Sequence, residues 1–268
     1  MQAAKEHFEA GRLAEAIQAM NGEVKANPSD ANRRSFLGEL LCLAGNLERA
    51  DLQFDVIGQQ APKLAVGVAL SRQLIRGEQA RRQFFAEGRL PEMFGVPPEH
   101  LRLALEASVR LREGAAEEGA ALLAEAEAAR PPLQGTNDGR PFDDFRDLDD
   151  LVAGAFEVVT STGKYYLVPM ERVAYVEFKP LERPRDLMWR RAEMAVIDGP
   201  EGEVFIPVTY VAPSDAALDD AARLGRRTDW LGGDGAPARG IGQRCFLLGE
   251  NDLGILELGR LEFAAPRG

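Results

Sequence analysis

The chain has 268 residues, of which 45% are hydrophobic and 28% charged, and its formal net charge is -11. This composition excludes a disordered polymer, leaves room for two domains with cores of their own, and makes a nucleic-acid backbone an unsuitable general partner. No apolar run approaches the roughly 18 residues of a membrane span, so no membrane partner is expected, and Cys42 and Cys245, far apart in apolar runs, are expected to be free buried thiols in the reducing cytoplasm.

The first predicted elements are helices that echo one another. Gly11, Leu13, Ala16, Met20 and Pro28 recur 34 residues later as Gly45, Leu47, Ala50, Phe54 and Pro62. That is the period of a tetratricopeptide unit, one helix–turn–helix pair per copy. Gly38 and Ala50 let two helices approach closely, and Leu41 and Phe54 fill the space between them. Residues Ala65 to Phe85 read as one long helix, which ends at Gly88 before Pro91, Gly95, Pro97 and Pro98 force a loop. A further pair is expected from His100 to Arg130, giving about six helices over residues 1–131. Stacked pairs of this kind present a concave face lined by the first helix of each pair, suited to a helical ligand. For the second pair this face carries Asn32, Ser35, Glu39 and Cys42, and for the last pair Leu101, Ala104 and Ser108. Binding is therefore placed ahead of catalysis.

After Arg130 the composition changes. Pro131-Pro132 and the stretch Gln134 to Gly139 cannot continue a helix, and residues 132–154 are expected to form an acidic junction. Phe142 to Asp150 holds five aspartates in nine residues. It lacks the glycine and the distal glutamate of a calcium-binding hand, so the favoured reading is an amphipathic helical turn with solvated aspartates. Phe142 and Phe145 are expected to pin the second half against its neighbours.

From Ala155 to the C-terminus the pattern is extended. Phe156–Val159 and Lys164–Val168, separated by Thr160-Ser161-Thr162-Gly163, read as a hairpin. Val173–Phe178 follows, then a second hairpin of Met194–Ile197 and Val204–Val208, then strands at Arg244–Leu248 and Ile255–Phe263 around a turn at Asn251-Asp252. The fold class is multidomain α+β: tetratricopeptide-like helical repeats in 1–131, then a strand-rich, partly open barrel-like domain in 155–268.

Little in this pattern favours catalysis. His7 and His100 are the only histidines, both on predicted repeat helices, and neither a Gly-x-Ser-x-Gly elbow nor a P-loop is present. Gly240-Ile241-Gly242 reads as a tight turn. The set Asp186, Trp189, Arg226, Thr228, Asp229 and Trp230 is the alternative: Arg226 paired with Asp186 or Asp229 beside two tryptophans would line a pocket for a hydrolase or a small-molecule binder. An interior network is the more economical reading of that set. No catalytic, metal-binding or cofactor-binding residue is assigned.

Five ordered motifs carry a family resemblance. They are Gly139-Arg140-Pro141-Phe142-Asp143-Asp144-Phe145-Arg146-Asp147-Leu148-Asp149-Asp150, Gly163-Lys164-Tyr165-Tyr166-Leu167-Val168-Pro169, Arg183-Pro184-Arg185-Asp186-Leu187-Met188-Trp189, Arg223-Leu224-Gly225-Arg226-Arg227-Thr228-Asp229-Trp230 and Gly240-Ile241-Gly242-Gln243-Arg244. Together they resemble the ImpE family, also called TagJ. The resemblance implies a non-enzymatic, cytoplasmic accessory adaptor of the bacterial type VI secretion system. It also implies binding to the contractile-sheath subunit TssB through a helix near that subunit's N-terminus. An indirect link to ClpV, the ATPase that disassembles the contracted sheath, follows from the same likeness.

Overall fold

The computed structural model describes residues 1–213, 217–233 and 235–264. Its first half is helical: α1 (Gln2–Glu9), α2 (Leu13–Ala26), α3 (Ala31–Leu43), α4 (Leu47–Gln60), α5 (Ala65–Glu87), α6 (Glu99–Arg112) and α7 (Ala116–Ala129). These are seven helices rather than about six, because the short stretch before Gly11 forms α1. Helices α1 and α2, α3 and α4, and α6 and α7 pack as neighbours. The 34-residue echo lies in α2 and α4, where Leu13, Ala16 and Met20 are buried like Leu47, Ala50 and Phe54.

Local chemistry sets these helix boundaries. Gly11, Gly45 and Gly88 follow α1, α3 and α5 with φ of +78°, +79° and +80°, the left-handed conformation that ends a helix at low cost only for glycine. Asp30 caps α3 by accepting from the Asn32 and Arg33 amides at 3.0 and 3.1 Å. Gly38 faces the Phe54 ring so closely that a Cβ there would stand 2.8 Å from it, which fixes the approach of α3 to α4.

The second half is built on an open antiparallel sheet of eight strands. Its members are β1 (Gly135–Asn137), β2 (Arg140–Phe142), β4 (Ala155–Val159), β5 (Tyr165–Pro169), β6 (Val173–Phe178), β7 (Trp189–Val196), β8 (Glu201–Pro207) and β13 (Arg260–Phe263). They lie in the order β2-β1-β13-β6-β7-β8-β4-β5. The sheet does not close, since β2 and β5 remain its edges. A three-stranded sheet joins β3 (Phe145–Asp147), β11 (Cys245–Leu248) and β12 (Asn251–Gly254), and β9 (Thr228–Gly233) pairs with β10 (Ala236–Gly242). A short helix α8 (Asp220–Arg223) precedes β9.

The hairpin of β4 and β5 runs in register from Ala155↔Pro169 to Val159↔Tyr165. Strand β6 departs from strict alternation because its register against β7 shifts between Val173 and Tyr175, so Val173, Val176 and Phe178 all turn inward. Strands β7 and β8 are longer than the expected hairpin. Asn251-Asp252 belongs to β12 instead of a turn, and the expected strand from Ile255 is β13 alone. Gly240 and Ile241 are strand residues of β10, and only Gly242, at φ +84°, has the left-handed backbone.

The acidic junction differs most from expectation. Phe142 and Phe145 lie on strands, and the helical turn is confined to Asp150–Val152. Both rings join Phe156, Phe246 and Phe263 in the core of the strand-rich half, so they do not pin the two halves together. Nor are the aspartates solvated as a group. Asp144 pairs with Arg130, Asp147 with Arg244, Asp149 with Arg239, and Asp150 with Arg146. The buried pairs of Asp147 and Asp149 are the ones sequence hides, because Arg244 and Arg239 lie 97 and 90 positions away.

The two halves meet along α5. One apolar cluster contains Leu74, Ile75 and Phe84 of α5 together with Val159, Tyr165, Leu167, Trp189 and Phe205. Gly77 lies against Val159 with no space for a Cβ, so a helix backbone sits directly on β4.

Candidate functional site

Periodicity identifies which side of a helix is concave, but not what covers it. Glu39, Cys42, Leu101, Ala104 and Ser108 are all buried. The turn Pro184–Leu187 packs on α3, and Leu151 to Ala153 pack on α6. Of the expected partner-binding set, only Asn32 is exposed and Ser35 half-buried. The chain's own second half thus covers Glu39, Leu101 and Ala104, whereas Cys42 and Ser108 lie on a cleft between the halves.

The alternative cluster does not assemble either. Asp186 is buried and accepts from the amides of Glu182 and Arg183 at 2.8 and 2.9 Å. Trp189 is buried, its indole donating to Glu78 at 3.3 Å. Arg226 pairs with neither aspartate: it donates to the carbonyls of Phe8 and Glu9 at 3.1 and 3.0 Å, at the end of α1. Asp229 pairs with Arg227, Thr228 donates to the Gln243 carbonyl, and Trp230 is partly exposed beside Tyr210. His7 meets Arg12, and His100 lies 2.8 Å from Glu171. Cys245 is only half-buried, unlike Cys42, and both are free thiols. Among the described residues, no three His, Cys, Asp or Glu side chains are grouped to hold a metal ion.

A different constellation does assemble, and sequence reasoning missed it. Glu157 of β4 sits between two buried arginines, Arg81 of α5 at 2.9 Å and Arg244, and accepts from Tyr165 at 2.6 Å. Burial alone would raise its pKa, but the two guanidiniums hold it down at about 2. Arg244 also pairs with Asp147, which accepts from the Tyr210 hydroxyl at 2.9 Å. Arg81 also donates to the Thr209 carbonyl, and Glu78 is shared by Arg81, Arg82 and Trp189. Each charge is matched and hydrogen-bonded, the condition under which buried ions are tolerated. The network fastens α5 to the second half.

Above this network lies a cleft of about 840 Å³, bounded by α5, α6, the α3–α4 turn, α8 and β10. Its described lining includes Arg81, Arg82, Arg112, Arg223 and Arg239, and Glu78 is the single carboxylate among them. Arg82 and Arg223 donate to the adjacent carbonyls of Gly45 and Ala44 at 3.0 and 2.8 Å. Arg112 reaches the Phe84 carbonyl and the Ser108 hydroxyl, both at 3.2 Å. Phe85 supplies an aromatic wall, with Arg81 and Arg239 set 5.9 and 5.6 Å from its ring centre. These arginines are scattered from position 81 to 239 and share no motif. The one sequence signal is that Gly45 and Gly88 leave open space where guanidiniums settle.

Comparison with known proteins places this geometry in a family. Residues 139–262 match the family described as ImpE protein. A Pseudomonas aeruginosa protein named type VI secretion system accessory component TagJ is 32% identical over 97% of this chain and 90% of its own. A crystal structure of a Vibrio parahaemolyticus protein superimposes with a TM-score of 0.91 at 31% identity, covering 98% of this chain and 97% of that one. With similarity running along nearly the full length of both relatives, the chain belongs to the ImpE family.

Proposed function

We propose that this chain is a non-enzymatic, cytoplasmic accessory adaptor of a type VI secretion system. In this reading it binds the sheath subunit TssB through that subunit's N-terminal helix and influences sheath assembly or ClpV-dependent disassembly. The observation that carries the proposal is the 32% identity to the TagJ accessory component over 97% of the chain. The helical half is read as a tetratricopeptide-like array, a scaffold suited to protein ligands. The interior charges support a binding role as well. Arg81, Glu157, Arg244 and Asp147 are engaged with one another and hold the halves together, which is structural work.

The test is a binding titration by calorimetry, with purified TssB that carries or lacks its N-terminal helix. Full-length TssB is expected to bind and the shortened subunit to bind at least about tenfold more weakly, a loss of about 1.4 kcal/mol or more. Equal binding to both forms would overturn this mode of recognition.

A further inference from the structure

We infer that the arginine-lined cleft between the two halves is the docking groove for an acidic segment of a protein partner. The inference rests on the adaptor reading for there being such a partner, and adds the place and the chemistry of its recognition. The argument begins with charge. The chain carries a net -11, yet the described walls of this cleft hold five arginines and one carboxylate. At physiological salt the screening length is about 8 Å, so a ligand inside the cleft feels these arginines far more than the distant acidic surface.

Neutralisation within the chain is incomplete. Arg81 and Arg239 face carboxylates, and Arg82 shares Glu78 with Arg81. Arg112 and Arg223 instead meet neutral acceptors, the Phe84 and Ala44 carbonyls and the Ser108 hydroxyl, and among the described residues neither makes an ion pair. Each engages one terminal nitrogen in this way, and a guanidinium has five N–H donors. Like charges are also brought together here. Guanidinium nitrogens of Arg82 and Arg223 come within 3.5 and 3.4 Å of the point where a Cβ would stand on Gly45. Convergence of cations on a glycine with a bare backbone suits a carboxylate received in bidentate fashion.

Shape decides in favour of a segment over a small anion. A second hollow of about 950 Å³ lies beyond the α3–α4 turn and shares Ala44, Gly45 and Arg82 with the first. It adds Arg76 and Arg89, whose hydrogen bonds go to Gln73 and Gln83, and one further carboxylate, Glu48. The basic surface is therefore elongated, passing across Gly45. Phe85, Leu111, Met188 and Val211 give the first hollow an apolar wall. An occupant with acidic residues on one side and apolar residues on the other matches both features.

The test uses the full chain, with TssB as one probe. The others are a synthetic peptide patterned with glutamate and leucine and its glutamine counterpart. Binding of TssB and of the acidic peptide is expected to weaken at least about tenfold in the double variant Arg112→Glu/Arg223→Glu and to weaken in high salt. Arg112→Lys/Arg223→Lys keeps the charge but loses the planar fork, and should weaken binding less than the charge reversal does while keeping its salt dependence. Arg140→Glu, on exposed β2, should bind like the parent. Thermal melts establish that the variants are folded; if the glutamate pair is not, the lysine pair and the salt series carry the test. If the parent binds TssB and a folded charge-reversed variant binds it equally well, the groove is wrong and the adaptor reading stands. If TssB does not bind but the acidic peptide does, and charge reversal abolishes that, the TssB reading fails and the groove stands. Equal binding of the acidic and neutral peptides, or indifference to salt, overturns the groove.

Discussion

Glu39 shows how one buried carboxyl can make stability depend on pH. It lies on α3 beneath the turn Pro184–Leu187, and burial raises its pKa to about 7, against the opposing pull of Arg185 and Arg183; Asp186 adds to the rise. A carboxyl whose folded pKa exceeds its unfolded value binds protons more readily in the native state. Its penalty is absent below about pH 4.5, grows as pH rises toward 7, and is constant above. Glu39→Gln mimics the protonated side chain. The variant is expected to match the parent near pH 4 and to exceed it by about 3 kcal/mol at pH 8, the order of the shift in free-energy terms. Urea unfolding at the two pH values measures this. A variant no more stable than the parent at pH 8 would show that Glu39 is readily ionised where it sits. The opposite case is Glu157, whose pKa is held near 2 by Arg81 and Arg244. Its contribution is present above about pH 4.5 and is lost as pH falls toward 2.

At the scale of elements, arginines close the ends of three helices. Arg226 reaches the last carbonyls of α1, Arg223 that of Ala44 after α3, and Arg112 that of Phe84 near the end of α5. Cations at helix C-termini satisfy free carbonyls and complement the helix dipole. Access depends on the glycine that ends each helix: a Cβ on Gly11 would lie 2.8 Å from Arg226, and one on Gly88 2.8 Å from Arg112. Gly88→Ala therefore combines a positive φ with a displaced guanidinium, and is expected to cost about 1–3 kcal/mol. In an Arg112→Ala background the same change should cost less, and a double-mutant cycle measures the difference. Strict additivity would mean that the glycine is needed for its backbone alone.

The same elements explain what sequence could reveal. Helices α2 to α7 and the hairpin of β4 and β5 were legible because their periodicity is long and their turns are marked by Gly, Pro or Asn. Strands β1, β2 and β3 have three residues each, too few for any period. The β9–β10 hairpin is glycine-rich and largely exposed along β9, so no alternation marks it. The charge network was illegible for another reason. Arg81 and Glu157 are 76 positions apart, and Arg244 and Asp147 are 97, so no local pattern links them. Arginines that line the cleft follow no spacing rule either.

For the whole molecule, the question is whether the helical half can stand alone. The sheet covers Leu74, Ile75 and Phe84 of α5, and Glu157 of β4 holds Arg81. Removing the second half would expose that apolar face and take Glu157 from Arg81, leaving it only Glu78. Losing the burial of a large apolar side chain costs about 1.5–3 kcal/mol, so uncovering Leu74, Ile75 and Phe84 removes a large part of the 5–15 kcal/mol that ordinarily holds a domain together. A fragment of residues 1–135 is therefore expected to lack a cooperative urea transition and to bind a hydrophobic dye. The full chain should unfold as one unit, because the shared cluster and ion network span both halves. Both tryptophans lie in the second half, whereas most of the helix lies in the first. Trp189 is buried against Glu78 of α5, so its fluorescence reports on the junction itself. Helical circular dichroism and tryptophan fluorescence should then trace the same urea curve. Two separated transitions, or a 1–135 fragment that unfolds cooperatively, would mean that the halves are coupled only weakly. The cleft between them would then be free to open and close without the rest of the fold resisting.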